Sequence, residues 1–259
     1  MACMSFARYV ALGDSFSEGV GDPDPGRPNG LRGWADRVAE VLAGRTPSPA
    51  AGFGYANLAI RGRKLRPILD QQLEPALAME PDLVTSYAGA NDIIRPRVDI
   101  DALATAYDEA VGRLSATGAT IVLFTAFDPG GSAIYRPLRG RFALYTEAVR
   151  EIAERHGTQL VDFWRMREYR DWGYWDTDRM HLGPAGHQRM ATAVLDTLGV
   201  PHDLEPLPPT EHPELSGREL RAKNVEWART HAAPWVHRRL TGRSSGDNIS
   251  PKRPVLAPI

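Results

Sequence analysis

The chain has 259 residues, enough to bury the core of one domain of about 200 residues and to carry an appendage. Its 31 basic and 32 acidic residues leave a formal charge of −1, so no global field recruits nucleic acid. Cys3 is the only cysteine, which excludes an intrachain disulfide and favours a cytoplasmic location, and no apolar run reaches the ~20 residues of a membrane span.

Residues 8–12 form an apolar run that reads as a strand buried on both faces and ends in Gly13-Asp14-Ser15, a tight turn. Cleavage of a leader after the usual span of roughly 15 to 30 residues would delete Ser15, so the N-terminus reads as uncleaved. Residues 18–32, rich in Gly, Pro and Asp, read as a loop, and 34–42 show helical spacing. A second strand over 55–60 leads to Arg61-Gly62, with a helix over 65–79. A third over 82–88 leads to Gly89-Ala90-Asn91-Asp92, with a helix over 100–116. Further strands at 120–126 and 159–163 flank a helix over 141–156. Five aromatics follow (Trp164, Tyr169, Trp172, Tyr174 and Trp175), then Asp178-Arg179-Met180-His181 and a helix over 184–198 that starts with Pro184. This alternation predicts an α/β fold, a five-stranded parallel sheet with helices on both faces.

Beyond residue 199 the pattern changes. Pro201, Pro206, Pro208, Pro209 and Pro213 suit an extended linker, and helical spacing returns over 217–231 and 234–240, divided by Pro234. Residues 242–259 hold too few apolar side chains for a core of their own. From Ser216 onward there are nine Lys or Arg against three Asp or Glu, which leaves 22 against 29 in the first 215 residues. The expected organisation is a catalytic domain over 1–199 and, over 200–259, a linker, a helical extension and a basic tail that dock tryptophans Trp227 and Trp235 on the acidic body.

A serine at a strand end needs a base to become a nucleophile. His181 can serve, because Asp178, three residues earlier, can fold back onto its ring and hold the tautomer. Ser15, Gly62 and Asn91 each follow the carboxyl end of a predicted strand, the edge where open α/β sheets bind ligands. Asp14 and Asp92 read as carboxylates that bond backbone N–H groups, and His187 as a structural histidine at a helix start.

Together Gly13-Asp14-Ser15-Phe16, Gly62, Gly89-Ala90-Asn91-Asp92 and Asp178-x-x-His181, in this order, resemble the GDSL or SGNH hydrolases over residues 6 to 199, with Phe16 in place of the family's leucine. The resemblance implies a flavodoxin-like three-layer α/β/α sandwich and a metal-independent serine esterase without cofactor. It assigns a catalytic triad of Ser15, Asp178 and His181, and an oxyanion hole made by the Ser15 and Gly62 backbone N–H groups and the Asn91 side chain. The expected partner is a small-molecule ester, first of all a short-acyl one, with no nucleic acid; nothing in the sequence sets the oligomeric state. A thioesterase or lysophospholipase could use the same site, and a non-enzymatic flavodoxin-like binder could use the same fold. The aromatic cluster reads mainly as packing at the sheet edge, with one or two rings left to face substrate.

Overall fold

The structure is a computed structural model that describes residues 5–45, 52–132, 134–213 and 216–259; Cys3 lies outside the described residues. Its strands are β1 (Arg8–Gly13), β2 (Gly54–Asn57), β3 (Leu83–Tyr87), β4 (Thr120–Phe124), β5 (Gln159–Val161) and β6 (Arg253–Ala257). They form one sheet in the order β5-β4-β3-β1-β2-β6. The first five strands are parallel, with Tyr9 beside Leu83 and Tyr55, and Val10 beside Val84 and Ala56. The order β2-β1-β3-β4-β5 reverses direction at β1, so the crevice for a ligand falls at the carboxyl end of β1.

The helices are α1 (Ser15–Glu18), α2 (Gly33–Gly44), α3 (Leu65–Ile68), α4 (Glu74–Ala78), α5 (Ala90–Ile93), α6 (Ile100–Ser115), α7 (Arg139–His156), α8 (Pro184–Thr197), α9 (Gly217–Trp227) and α10 (Ala233–Leu240). Alternation along β1 divides the core in two. Tyr9 and Ala11 pack with Trp34 and Val38 of α2 and Met190 and Val194 of α8. Val10 and Leu12 pack with Tyr107 and Val111 of α6 and Val149 and Ile152 of α7. Every one of these side chains is buried, and each large aliphatic one contributes about 1.5–3 kcal/mol by leaving water. Strands covered on both faces are near-continuous apolar runs, which is how the sequence marks them, and the polar residues buried in β2 and β3, Asn57, Thr85 and Ser86, are each hydrogen-bonded.

Three sequence expectations need correction. The sheet has six strands, because residues 253–257 of the basic tail pair antiparallel to β2. An edge strand needs no core of its own, and Pro254 is tolerated where one side of the strand has no partner. The helix expected over 65–79 is interrupted by a π-helical turn at Leu69–Leu73. The two tail helices are one continuous rod with a π turn at Ala228–Ala232; the wider turn precedes Pro234, whose ring would clash with the carbonyl four residues back in a regular α-helix. In addition β5 stops at Val161, where the Asp162 carboxylate accepts the Arg165 N–H and caps a short 3-10 turn. Among the described residues no helix is long and apolar enough to cross a membrane.

The tail is fastened by a buried ion pair. Lys252 Nζ lies 2.9 Å from Asp36 Oδ1 and donates to the Arg32 carbonyl at 2.7 Å, with both charged side chains fully buried. Tyr55 OH donates to the same Asp36 oxygen at 2.8 Å. Burial pushes the Asp36 carboxyl up and the Lys252 amine down, each opposed by its partner's charge. Removing one member strands the other without solvent, at a cost of about 3–5 kcal/mol. Urea denaturation should therefore show Lys252→Met destabilised by about that amount. The double variant Lys252→Met with Asp36→Asn should regain much of the loss, and strictly additive losses would contradict the pairing.

Candidate active site

Ser15 owes its position to Gly13. The backbone there has φ of +141°, and a Cβ would lie 2.5 Å from the Tyr87 carbonyl oxygen and 2.8 Å from Ser17 Oγ, so only glycine fits. Gln72, turned inward on the π turn, clamps this residue: its Oε1 accepts the Gly13 N–H at 2.8 Å and its Nε2 donates to the Gly13 carbonyl at 2.9 Å. Asp14 then caps α1 by accepting the Phe16 N–H at 3.1 Å, which makes Ser15 the first residue of that helix. Phe16 packs behind it, 4.3 Å from Tyr87 and 5.4 Å from Trp34 between ring centroids.

The other strand ends are tied to this turn. Buried Glu18 accepts the Arg61 backbone N–H at 2.7 Å and pairs with its guanidinium at 2.6 Å, which fixes the loop that presents Gly62 at φ +75°. Asn91, in α5, donates its amide to Asp14 Oδ2 at 2.8 Å and to the Arg63 carbonyl at 3.0 Å. Both amide hydrogens thus have protein partners. Asp92 accepts the Leu65 N–H at 2.8 Å and joins α5 to α3.

The fourth block folds back on itself through Arg179, which takes the left-handed conformation at φ +58°. Asp178 Oδ1 accepts the Met180 and His181 N–H groups at 2.8 and 3.0 Å, while Oδ2 lies 2.5 Å from His181 Nδ1. The tail reinforces this turn: Trp227 Nε1 donates to the Asp178 carbonyl at 3.0 Å, and the Arg179 guanidinium sits 5.1 Å above the Trp227 ring while bonding Asn224 at 2.8 Å.

Ser15, Gly62, Asn91, Asp178 and His181 all line one cavity of about 440 Å³. One wall is aromatic, with Phe127 centred 5.0 Å from Trp175 and 5.1 Å from Phe142. Of the five aromatics preceding Asp178, only Trp175 reaches this cavity; Tyr169 instead donates to the Gly186 carbonyl and packs the loop. Val20 is the lining residue from the 18–32 loop. The tail supplies the opposite wall, from Thr230 to Ser245.

Burial disfavours the Asp178 carboxylate, but bonds from His181 and the Met180 and His181 amides more than offset it and hold its pKa down to about 2. Burial likewise disfavours the His181 imidazolium, yet the Asp178 bond and charge, helped by Asp14, raise it above the ordinary 6.5. Asp14 is itself pushed up to about 7 by burial, against the pull of the Phe16 N–H and His181. His187 is different: burial drives it down to about 4, against the charge of Asp22. Its Nδ1 accepts the Trp34 N–H at 3.2 Å and its Nε2 faces the Val20 carbonyl at 3.1 Å, which makes it a neutral tie between α2, α8 and the nucleophile loop. Gln72, Glu18, Arg61 and the tail wall were not singled out by sequence reasoning. A buried Glu or Gln carries no local pattern, and only the spaced tail tryptophans hinted at docking.

The profile of the GDSL-like lipase/acylhydrolase family matches residues 11–189. Among solved structures, LAE5, an alpha/beta hydrolase enzyme from the metagenome of Lake Arreo, Spain, is 25% identical over 76% of this chain and 97% of its own, with a TM-score of 0.62. Axe2, an acetylxylan esterase from Geobacillus stearothermophilus, is 25% identical over 78% of this chain and 98% of its own, again with a TM-score of 0.62. No curated protein matches. The family profile and the esterase neighbour support ester hydrolysis as the class of reaction.

Histidine NMR titration checks these electrostatics. His181 should titrate above 6.5, and Asp178→Asn should lower its pKa, because the carboxylate favours the charged ring. His187 should titrate near 4 in both proteins.

Proposed function

Since this chain belongs to the GDSL-like lipase/acylhydrolase family, we propose that it is a serine hydrolase that cleaves small, short-acyl carboxylic esters through an acyl-enzyme intermediate. The observation that carries this reading is the presence in one cavity of Ser15 and of a histidine whose Nδ1 is held 2.5 Å from a half-buried aspartate. With Nδ1 engaged, Nε2 is the ring nitrogen available to exchange a proton.

In the proposed mechanism Ser15 Oγ attacks the ester carbonyl carbon as its proton passes to His181 Nε2. The carbonyl π electrons move to oxygen, and the backbone N–H groups of Ser15 and Gly62 stabilise the oxyanion; neither has a protein partner among the described residues. Asn91 contributes a third donor by releasing Asp14 or the Arg63 carbonyl. The alcohol departs with the proton from His181. Water then attacks the acyl-serine, giving its proton to His181, and the carboxylic acid leaves as Ser15 recovers its proton. Asp178 stays ionised and stabilises the imidazolium. A volume of about 440 Å³ suits a small ester, and the aromatic wall offers its acyl group an apolar surface.

Residues 1–199 are proposed as the catalytic unit, with 200–259 as a linker and extension that complete its cavity. The single cysteine supports a cytoplasmic location.

Ser15→Ala and His181→Ala should each lower kcat/KM for a short-acyl ester by about a thousandfold or more, with the double variant little worse, because the residues act as a unit. Multiplicative losses in folded variants would overturn the assignment. A fluorophosphonate should label Ser15 in the wild type and leave Ser15→Ala unmodified. Since only neutral His181 accepts a proton, kcat/KM should rise with pH along a limb centred above 6.5 and level off once the ring is neutral. Truncation after Leu198 removes both β6 and the tail wall, so melting temperature and kcat/KM should fall together; unchanged values would detach the tail from the site.

A further inference from the structure

The tail wall of the cavity is cationic in a way the chemistry above does not use. Arg61, Arg95, Arg238 and Arg243 line the catalytic cavity, and among the described residues its only lining carboxylates are Asp14 and Asp178, both engaged within the site. Arg61 is neutralised by Glu18, and Arg95 donates to the Asn91 carbonyl at 3.3 Å. Arg238 and Arg243 have no carboxylate within ion-pair distance among the described residues.

These two arginines face a second space. A groove of about 1210 Å³ shares Arg61, Arg238, Arg243, Ser244 and Ser245 with the catalytic cavity. It adds Arg63 and His237, against a single carboxylate among the described residues, Asp247, which stands 3.8 Å from Arg63. The segment that carries this wall is anchored. The Arg243 N–H donates to the Arg238 carbonyl at 2.9 Å, the Ser244 N–H to Asp247 at 2.8 Å, and buried Gly246 lies so close to the Arg61 carbonyl that a Cβ would stand 2.2 Å away. With Arg61 paired to Glu18 and Arg63 facing Asp247, Arg238 and Arg243 are the guanidinium groups at this opening left without a carboxylate among the described residues, and their planar forks match carboxylate or phosphate oxygens.

We propose that Arg238 and Arg243 form a specificity subsite for an anionic group, a carboxylate or phosphate, on the alcohol portion of the ester. The assignment rests on the ester-hydrolase reading for its use in turnover. The alcohol is the first product to leave, so it belongs on the side open to the larger groove, while the acyl group faces Phe127, Phe142 and Trp175. The body supplies the chemistry of the site and the tail its preference.

The test compares 4-acetoxybenzoate with 4-acetoxybenzamide, which differ in charge and little in shape. Wild-type protein should favour the anion in kcat/KM, and 0.5 M salt should shrink the preference by screening partly exposed charges. In the Arg238→Gln, Arg243→Gln double variant the anion-to-amide ratio should fall about tenfold or more, as expected for lost charge-assisted hydrogen bonds; the double Lys variant should keep part of it. A ratio that is unchanged in the folded Gln variant overturns the subsite. Calorimetric binding of 4-hydroxybenzoate and 4-hydroxybenzamide to the full-length proteins reads the subsite without turnover. Arginine-dependent preference for the benzoate with no hydrolysis of either ester would sink the esterase reading and leave the subsite standing. Hydrolysis of both esters without any preference would do the reverse.

Discussion

At the end of β1 the chain passes so near the Tyr87 carbonyl that no side chain can be accommodated, and the arrangement of the site follows from that one close approach. β1 is central and buried on both faces, so a residue leaving its end can reach solvent only through a sharp turn. Gly13 makes the turn, Gln72 accepts its N–H and bonds its carbonyl beside the Ile60 N–H, and Asp14 converts the exit into a helix start. The hydroxyl of Ser15 therefore sits on a rigid base. Unpaired backbone groups at such a depth would cost about 1–3 kcal/mol each, which is why a buried glutamine is held here by a π turn.

Around this base the loops are fastened by buried carboxylates: Glu18 holds Arg61, Asp14 holds Asn91, and Asp92 holds Leu65. Each carboxylate bonds backbone or amide N–H groups, so desolvation is offset by hydrogen bonds that also fix geometry. The two histidines show how environment alone separates roles. His181, half-buried with a carboxylate on its ring, is held above its ordinary pKa, whereas His187, fully buried and bonded to backbone groups, is driven to about 4. A ring that must gain and lose a proton needs the first setting; a ring that ties helices together is better served by the second.

The tail adds a wall to the crevice at the carboxyl edge of the sheet. Lys252 is its anchor, β6 its contact with the sheet, and Trp227 its hold on the Asp178–His181 turn. The segment that covers the edge of β2 thus also brings Arg238 and Arg243, the arginines proposed for specificity, into the cavity that Gly62 lines.

The sequence by itself determined the five parallel strands, because doubly buried strands are near-continuously apolar, and it marked the five residues proposed for the chemistry, because Ser15, Gly62 and Asn91 follow strand ends and Asp178 stands three residues before His181. His187 was legible as structural from its place at a helix start. The sixth strand was not, since an edge strand borrows hydrogen bonds from its neighbour and needs no apolar pattern of its own. The π turns were hidden for a similar reason: residues 65–79 have helical spacing throughout, and the break that Pro234 implies between 217–231 and 234–240 is taken up by a wider turn that keeps the rod continuous. Only the tertiary structure decided that Gln72, Glu18 and Lys252 would be buried and paired, and that Arg238 and Arg243 would line the same cavity as Gly62. Those contacts join residues up to 220 positions apart, and polar side chains carry no sequence signal for a partner that folding alone brings near.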